Sequence, residues 1–199
     1  MTTRRWNANT GTWDHYTPAH REYRRLPSNL DAQLHAIEPT HDGMMEYFPC
    51  MVLLANGEQH DCVYIAEANS YIRFWGVWPD DDPGKRAVRI EDVAQIQPTP
   101  SRLPFKFAQK MYAVGESGMG YCIFTLHFAD GTHQSYCTGN LIDFPEMPAG
   151  KSTRDVLALR PNQGRGEESL GTRQYHWCLF AGHSAKTFMQ RLSHALRFS

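Results

Sequence analysis

The feature that most constrains the fold of this chain is an internal repeat. Residues 25–38 (RLPSNLDAQLHAIE) align without a gap on residues 102–115 (RLPFKFAQKMYAVG), and each stretch predicts a short helix because apolar residues recur at helical spacing. A hairpin with an Asn-Gly or Asp-Gly turn follows, at residues 50–66 and 122–138. A loop with proline, glycine and lysine and an apolar strand ending in proline complete both copies. Either an ancient duplication or the reuse of common turn chemistry by two β-meanders explains this order.

The repeat predicts a mainly β protein with short helices (α+β). We expect two tandem, duplicated small β-barrels of the SH3-like or Sm-like kind and a C-terminal helix, because a short helix followed by a bent antiparallel sheet is typical of such barrels. A strand is expected at residues 175–180 and a final helix from about Ser184, a good N-cap residue. The predicted divisions are an arm (1–24), a first repeat (25–101), a second repeat (102–162) and a C-terminal part (163–199).

Residues 26–98 resemble the Sm-like family. The resemblance lies in the helix, the strand that runs into the Asn56-Gly57 turn, and the short closing strand. It implies a small barrel, ring assembly and RNA binding. Cys62 stands where the family has a glycine, Ala68 and Ile72 stand near the family's Asp and Asn, and the Ile-Arg-Gly element is missing. We therefore predict the barrel without RNA binding.

Composition and cysteine usage indicate a globular protein of a reducing compartment. The formal net charge is −1, so overall charge gives no reason to expect a nucleic acid or a membrane surface as partner. No apolar run approaches the ~20 residues that span a bilayer, and the start has no apolar signal core. The five cysteines are widely spaced and never form C-x-x-C, and Cys50 and Cys122 begin apolar strands where burial is expected. We predict a soluble, cytoplasmic protein with no metal and no cofactor.

The loop at residues 115–121 raises the question of catalysis. GESGMG lacks the Lys-Ser or Lys-Thr of a phosphate-binding P-loop, and Met119 stands where a nucleophile elbow has its last glycine. Its glycines predict a helix C-cap and a reversal of the chain. An exposed loop with polar groups can still bind a polar ligand. The candidate ligand-binding residues here are Glu116, Ser117, Tyr121 and Asn140.

Residues 71–85 (YIRFWGVWPDDDPGK) hold the densest group of aromatic residues. Small barrels bind peptides, modified side chains or bases on such rings. Alternatively, the rings form the apolar contact between the two barrels. The aspartates at 80–82 are expected to form a solvated surface or, alternatively, a tip that binds a cation, with the solvated surface favoured. The candidate binding residues of this stretch are Tyr71, Arg73, Trp75 and Trp78.

The histidines do not form a recognisable metal motif. With a two-residue turn at Asp130-Gly131, His127 and His133 are expected on opposite faces of the hairpin. His176 and Cys178 share one face of a strand, but two ligands do not make a zinc site.

The first 24 residues are basic and aromatic. Residues 21–25 (REYRR) have the R-x-x-x-R spacing of PilZ-type cyclic-dinucleotide binders, but the D/N-x-S-x-x-G loop of that family is absent at the required distance. We expect an arm that wraps a neighbouring barrel or subunit. If the arm wraps a neighbouring subunit, the protein is a homo-oligomer held together by this arm.

No complete catalytic motif is present, and no catalytic residue is assigned. We predict a non-catalytic binding or interaction module whose ligand, a protein or a small molecule, the sequence does not identify. One alternative is a small-molecule-binding or hydrolytic enzyme with its site between the barrels at residues 115–121. A second alternative is nucleic-acid binding through the basic arm, which the net charge disfavours.

Overall fold

In the computed structural model, residues 3–16 and 21–182 are described. The protein is mainly β and contains several sheets, none of which closes into a barrel. The described strands are β1 (Thr3–Asn7), β2 (Thr12–Tyr16), β3 (Thr40–Asp42), β4 (Met45–Leu54), β5 (Gln59–Glu67), β6 (Ala87–Arg89), β7 (Val93–Gln97), β8 (Cys122–Phe128), β9 (His133–Thr138), β10 (Val156–Pro161) and β11 (His176–Phe180). The described α-helices are α1 (Ser28–His35), α2 (Ala68–Trp75) and α3 (Phe105–Val114), and short 3-10 helices cover Pro79–Asp81, Ile90–Asp92 and Thr153–Asp155.

The N-terminal arm contains a hairpin. Strands β1 and β2 pair antiparallel, and the rings of Trp6 and Trp13 meet edge to face with centroids 5.4 Å apart. The backbone N–H of Arg4 donates to the carbonyl of Gly76 at 2.8 Å, which attaches the hairpin to the end of α2. The final helix expected from Ser184 lies outside the described residues. Within the described ranges, no helix combines the length and the apolar content needed to cross a bilayer.

The first unit comprises α1 to β7 together with β11. Its sheet has the strand order β3-β4-β5-β11-β6, and β7 pairs with the second half of β4. Strands β4 and β5 are buried along most of their length because both faces of the sheet are covered. One face packs against Leu30 and Leu34 of α1, and this core also includes Val52, Val63 and Ile96.

The second unit comprises α3 to β10. Its sheet has the order β10-β8-β9, and Phe107, Ala108 and Met111 of α3 belong to the same buried core as Phe124 and Leu126 of β8. Both hairpin expectations from the Asn-Gly and Asp-Gly turns are confirmed, because β4 pairs with β5 and β8 with β9.

The two units share backbone hydrogen bonds at matching places. In each hairpin turn the glycine N–H donates to the carbonyl three residues back, and the alanine N–H donates to the carbonyl of the aspartate that directly precedes β7 or β10. The bonds are Gly57 N to Leu54 O (2.9 Å) with Gly131 N to Phe128 O (3.0 Å), and Ala55 N to Asp92 O (2.8 Å) with Ala129 N to Asp155 O (2.9 Å). In both units a 3-10 helix leads into a strand that pairs antiparallel with the first hairpin strand.

The C-terminal segment ties the units together. Leu170 first lies parallel beside Tyr136 of β9, and its carbonyl accepts from Cys137 N–H at 3.0 Å. The chain then enters the first sheet as β11, parallel to both β5 and β6. The expected strand at residues 175–180 is confirmed, but its insertion between two strands of the first sheet was not predicted.

The second face of the first sheet packs against the second unit through aromatic side chains, which we call the aromatic junction. Trp177 of β11 is fully buried, with its ring centroid 5.2 Å from that of Tyr64 and 4.8 Å from that of Tyr71. Phe144 of the second unit lies 4.8 Å from Tyr64. The aromatic junction comprises Tyr47, Tyr64, Tyr71, Trp78, Phe144 and Trp177.

Candidate functional site

The loop at residues 115–121 is a helix end and a turn, as its glycines predicted. Gly115 ends α3 with φ 83°. The hydroxyl of Ser117 accepts a hydrogen bond from Ile123 N–H at 2.8 Å and so fixes the start of β8. No histidine or carboxylate bonds to this hydroxyl among the described residues. The hydroxyl of Ser117 therefore supports the backbone at the start of β8 and is not arranged as an activated nucleophile.

The side chain of Glu116 stabilises the same loop through hydrogen bonds. Its carboxylate accepts from Gly120 N–H at 2.8 Å and from the side-chain amide of Asn140 at 2.7 Å. Tyr121 lies at the far end of the loop, where its hydroxyl accepts from Arg165 at 3.2 Å. The structure thus brings Glu116 and Asn140 together, whereas the hydroxyl groups of Ser117 and Tyr121 bond to Ile123 and Arg165.

A pocket of about 80 Å³ lies between the two units beside this loop. Asp42 at the end of β3 and Phe74 on α2 contribute from the first unit. The second unit contributes Met111, Tyr112, Gly115, Glu116, Cys122, Asn140 and Ile142. We call this the junction pocket. It lies where the sequence analysis placed the site of the enzyme alternative, between the units at residues 115–121.

The polar atoms of the junction pocket are mainly acceptors. The carboxylate of Asp42 has no hydrogen-bond or ion-pair partner among the residues described. Burial raises the pKa of Asp42, and the nearby carboxylates of Glu116 and Asp143 raise it further. The side-chain oxygen of Asn140 is buried and receives no donor. No basic side chain belongs to the described lining, so a group that donates hydrogen bonds and carries positive charge would meet unmatched acceptors here.

Cys122 is the one thiol in the described lining of the junction pocket. Burial, together with the charge of Glu116, raises the pKa of Cys122 to about 11. The side chain is therefore a neutral thiol at pH 7 and lacks the thiolate that nucleophilic catalysis needs.

The aromatic stretch at residues 71–78 is a helix and the loop after it. Glu67 caps the N-terminus of α2, and Gly76 ends the helix with φ 69°. Tyr71 is fully buried and Trp78 is 6% exposed, so both belong to the aromatic junction, whereas Trp75 is partly buried beside it. Arg73 is exposed on α2. The ring that α2 turns toward the junction pocket is Phe74, which is 42% exposed.

The three aspartates at 80–82 form ion pairs with basic side chains; Asp80 stays exposed, whereas Asp81 and Asp82 are partly buried. Arg21 binds Asp80 at 2.6 Å and Asp81 at 2.9 Å. Lys85 lies 3.6 Å from Asp82, and its ammonium sits 4.2 Å from the ring centroid of Trp75. The arginine that begins the R-x-x-x-R spacing therefore anchors the arm to the first unit.

His127 and His133 lie on the same face of their hairpin, so the expectation of opposite faces is wrong. They pair directly, and their rings are 5.7 Å apart. Phe128 N–H donates to Thr132 O, so three residues form the loop instead of two, and the register moves by one residue. Across residues 3–16 and 21–182, no group of three or more His, Cys, Asp or Glu side chains could hold a metal ion.

Sequence reasoning missed Asp42, Phe74 and Tyr112. In the sequence, residues 39–44 (PTHDGM), which include Asp42, stand before the first hairpin as the loop at 115–121 stands before the second. The junction pocket is lined by residues of both segments, Asp42 from the first and Gly115 and Glu116 from the second. Comparison of the chain with protein-family models, with curated proteins and with solved structures finds no match.

Proposed function

We propose that this protein is a non-catalytic binding module that holds a cationic group of its ligand in the junction pocket. The observation that carries the proposal is the unpartnered carboxylate of Asp42, which faces a pocket lined by further acceptors and by the rings of Phe74 and Tyr112. Ammonium and guanidinium groups donate to carboxylates and are attracted to aromatic faces. The small volume favours one functional group of a larger ligand, such as an amine-bearing molecule or a basic side chain of a protein.

The same proposal includes an origin by duplication of a small barrel-like unit. The matching backbone hydrogen bonds of the two hairpins support it, as do the 3-10 helices that lead into β7 and β10. A pocket formed by counterpart segments of two related units is an expected product of duplication, because each copy is free to diverge at the shared boundary. The two halves of the proposed site then come from different copies.

A hydrolytic function is less well supported than binding. Ser117 is bonded to the backbone of β8, and the thiol of Cys122 stays protonated at neutral pH. General acid–base or nucleophilic catalysis needs a nucleophile within hydrogen-bond reach of a base. A reducing, intracellular location also belongs to the proposal, because all five cysteines are free thiols.

The test uses three probes that share one alkyl chain: n-butylammonium, butyrate and n-butanol. We expect butylammonium to shift the amide NMR signals of Asp42, Glu116 and Asn140 in a saturable way, and the other two probes to leave them unchanged. Asp42→Asn should weaken butylammonium binding about tenfold, since a hydrogen bond to a charged group contributes about 1.5–3 kcal/mol. Glu167→Gln, which removes an exposed carboxylate outside the pocket lining, is the matched control. Equal shifts with butyrate, or an unaltered affinity in Asp42→Asn, would refute the proposal.

A further inference from the structure

A second pocket, of about 310 Å³, lies on the first unit outside the junction pocket. Strands β5 and β11 bring His60 and His176 side by side there, with ring centroids 4.3 Å apart. Its lining residues are Gln59, His60, Asp61, Cys62, Arg173, Gln174 and His176. We call it the histidine pocket.

Two arginines beside the histidine pocket lack a carboxylate partner among the described residues. Arg173 lines the pocket, and its guanidinium donates to the neutral hydroxyl of Ser101 at 2.6 Å. Arg86 is exposed and acts electrostatically on His176. An arginine fork with unused donors is suited to bidentate recognition of an oxyanion.

The carboxylates near the histidine pocket are already engaged. Glu58 lies 3.3 Å from Nε2 of His60, and Asp61 accepts from the side-chain amide of Gln59 at 2.6 Å. Neither forms an ion pair with Arg173 or Arg86. Two guanidinium groups without an ion-pair partner among the described residues therefore lie beside the imidazoles, in a place that also holds the carboxylates of Glu58 and Asp61.

The two histidines lie in the same pocket as Arg173. Burial lowers the pKa of His176, and the neighbouring His60 and Arg86 lower it further, against a smaller opposite effect of Glu58. An anion between these groups would oppose the repulsion and favour the protonated imidazole. Arg86, whose charge disfavours a protonated His176 in the empty site, would thus stabilise a bound anion.

A third cavity adjoins the histidine pocket at Arg173, which lines both. It measures about 410 Å³, and its lining includes Ser101, Ser152, Lys151 and the acidic Glu146 as well as Arg173. A ligand whose anionic group binds Arg173 and the histidines therefore has room to continue along the surface. The extension is polar and includes hydroxyl groups.

We propose that the histidine pocket binds the oxyanion of a phosphate ester, with Arg173, Arg86 and the His60–His176 pair as its ligands. Arg173 supplies the fork, the imidazoles supply N–H donors when protonated, and the ester's organic group lies toward Ser101. This site is separate from the junction pocket and does not depend on the function proposed for it.

The first experiment follows the imidazole proton signals of His60 and His176 while sulfate is added, because sulfate keeps one charge state across the range in which histidine titrates. We expect saturable shifts at about pH 6 and binding at least tenfold weaker at about pH 8, because the protonated form of His176, which a bound anion favours, is lost as the pH rises. Equal affinity at both pH values, or shifts that never saturate, would overturn the proposal.

Substitution of single arginines tests where the anion binds. Arg173→Gln and Arg86→Gln should each weaken sulfate binding about tenfold, whereas Arg154→Gln, an exposed arginine of the second unit, should leave it unchanged. Arg86 is exposed, so its variant remains informative if Arg173→Gln fails to fold. An equal loss of affinity in Arg154→Gln would show general charge attraction and refute a defined site. Phenyl phosphate should bind more tightly than inorganic phosphate, and equal affinities would overturn the assignment to an ester.

Discussion

Arg102 and Asp143 form an ion pair inside the protein, with Nε of Arg102 3.5 Å from Oδ1 of Asp143. Asp143 is fully buried, and it also accepts from the hydroxyl groups of Thr40 and Tyr112, each at 2.8 Å. Thr40 belongs to the first unit, whereas Tyr112 and Asp143 belong to the second. One buried carboxylate therefore joins the two units through hydrogen bonds from both.

Removing Arg102 should be strongly destabilising. Arg102→Met leaves the carboxylate of Asp143 buried without its counter-charge, and breaking such a pair costs about 3–5 kcal/mol. Asp143→Asn should also be destabilising, because it leaves the largely buried guanidinium of Arg102 without its counter-charge. Urea unfolding at pH 7 measures both, with Arg154→Met as the control for loss of an exposed arginine. A loss below about 1 kcal/mol in Arg102→Met would show that the pair does not hold the units together.

Glu67 should stabilise α2 in a pH-dependent way. Its carboxylate accepts from the backbone N–H groups of Asn69 (3.0 Å) and Ser70 (2.6 Å), and these bonds lower the pKa of Glu67 against the opposing effect of burial. Loss of such an N-cap costs about 1–2 kcal/mol, so Glu67→Ala should lose this much at pH 7.

The pH dependence of the Glu67 effect has a defined sign. Because the folded-state pKa is below the unfolded value of about 4.3, the carboxylate adds stability above that value and loses it as pH falls through the folded pKa. The difference in unfolding free energy between the wild type and Glu67→Ala should therefore shrink from pH 6 toward about pH 3. Glu167→Ala serves as the control. A difference that stays constant over this range would contradict capping by the ionised group.

Local patterns in the sequence predicted the local parts of the fold. Helices α1 and α3, the two hairpins and the strand at β11 each follow from spacing or turn chemistry within a dozen residues. The pairing of β11 with β5 joins residues more than a hundred positions apart, for example Cys178 and Ile65. No short-range signal specifies such a contact. The pairing of β11 with β5 depends on the burial of Trp177 in the aromatic junction.

The residues of the candidate site also differ in whether local sequence patterns could predict them. Glu116 and Asn140 were predicted because both lie in or near one Gly-rich loop, whereas Asp42 and Phe74 reach the junction pocket only through the packing of one unit on the other. The stretch at residues 71–78 was ambiguous for a related reason. A dense group of rings predicts burial or binding equally well until the partner surface is known, and here that surface includes Trp177.

The two hairpin turns should respond alike to the same substitution. Gly57 and Gly131 have φ 88° and 82°, in the left-handed region that disfavours a Cβ, and no atom lies within 4 Å of the position that a Cβ would take. Gly57→Ala and Gly131→Ala should each lose about 1 kcal/mol through backbone strain alone. Gly139→Ala is the control, since Gly139 has no positive φ and equally open surroundings. Thermal unfolding of the three variants tests the equivalence, and a neutral Gly57→Ala beside a destabilised Gly131→Ala would argue against it.

Thiol reactivity should separate Cys137 from the other four cysteines. Cys137 is exposed on β9, whereas Cys50, Cys62, Cys122 and Cys178 are buried. Burial also raises the pKa of each of these four thiols, so both access and thiolate content are low. Iodoacetamide at pH 7.5 should therefore add one label to the native chain and five after unfolding in guanidinium, as measured by intact mass. Cys137→Ser should remove the native label without changing the mass shift of the remaining four in the unfolded chain. Fast native labelling of a second thiol would show that the buried cluster around that cysteine opens, and peptide mapping would identify which one.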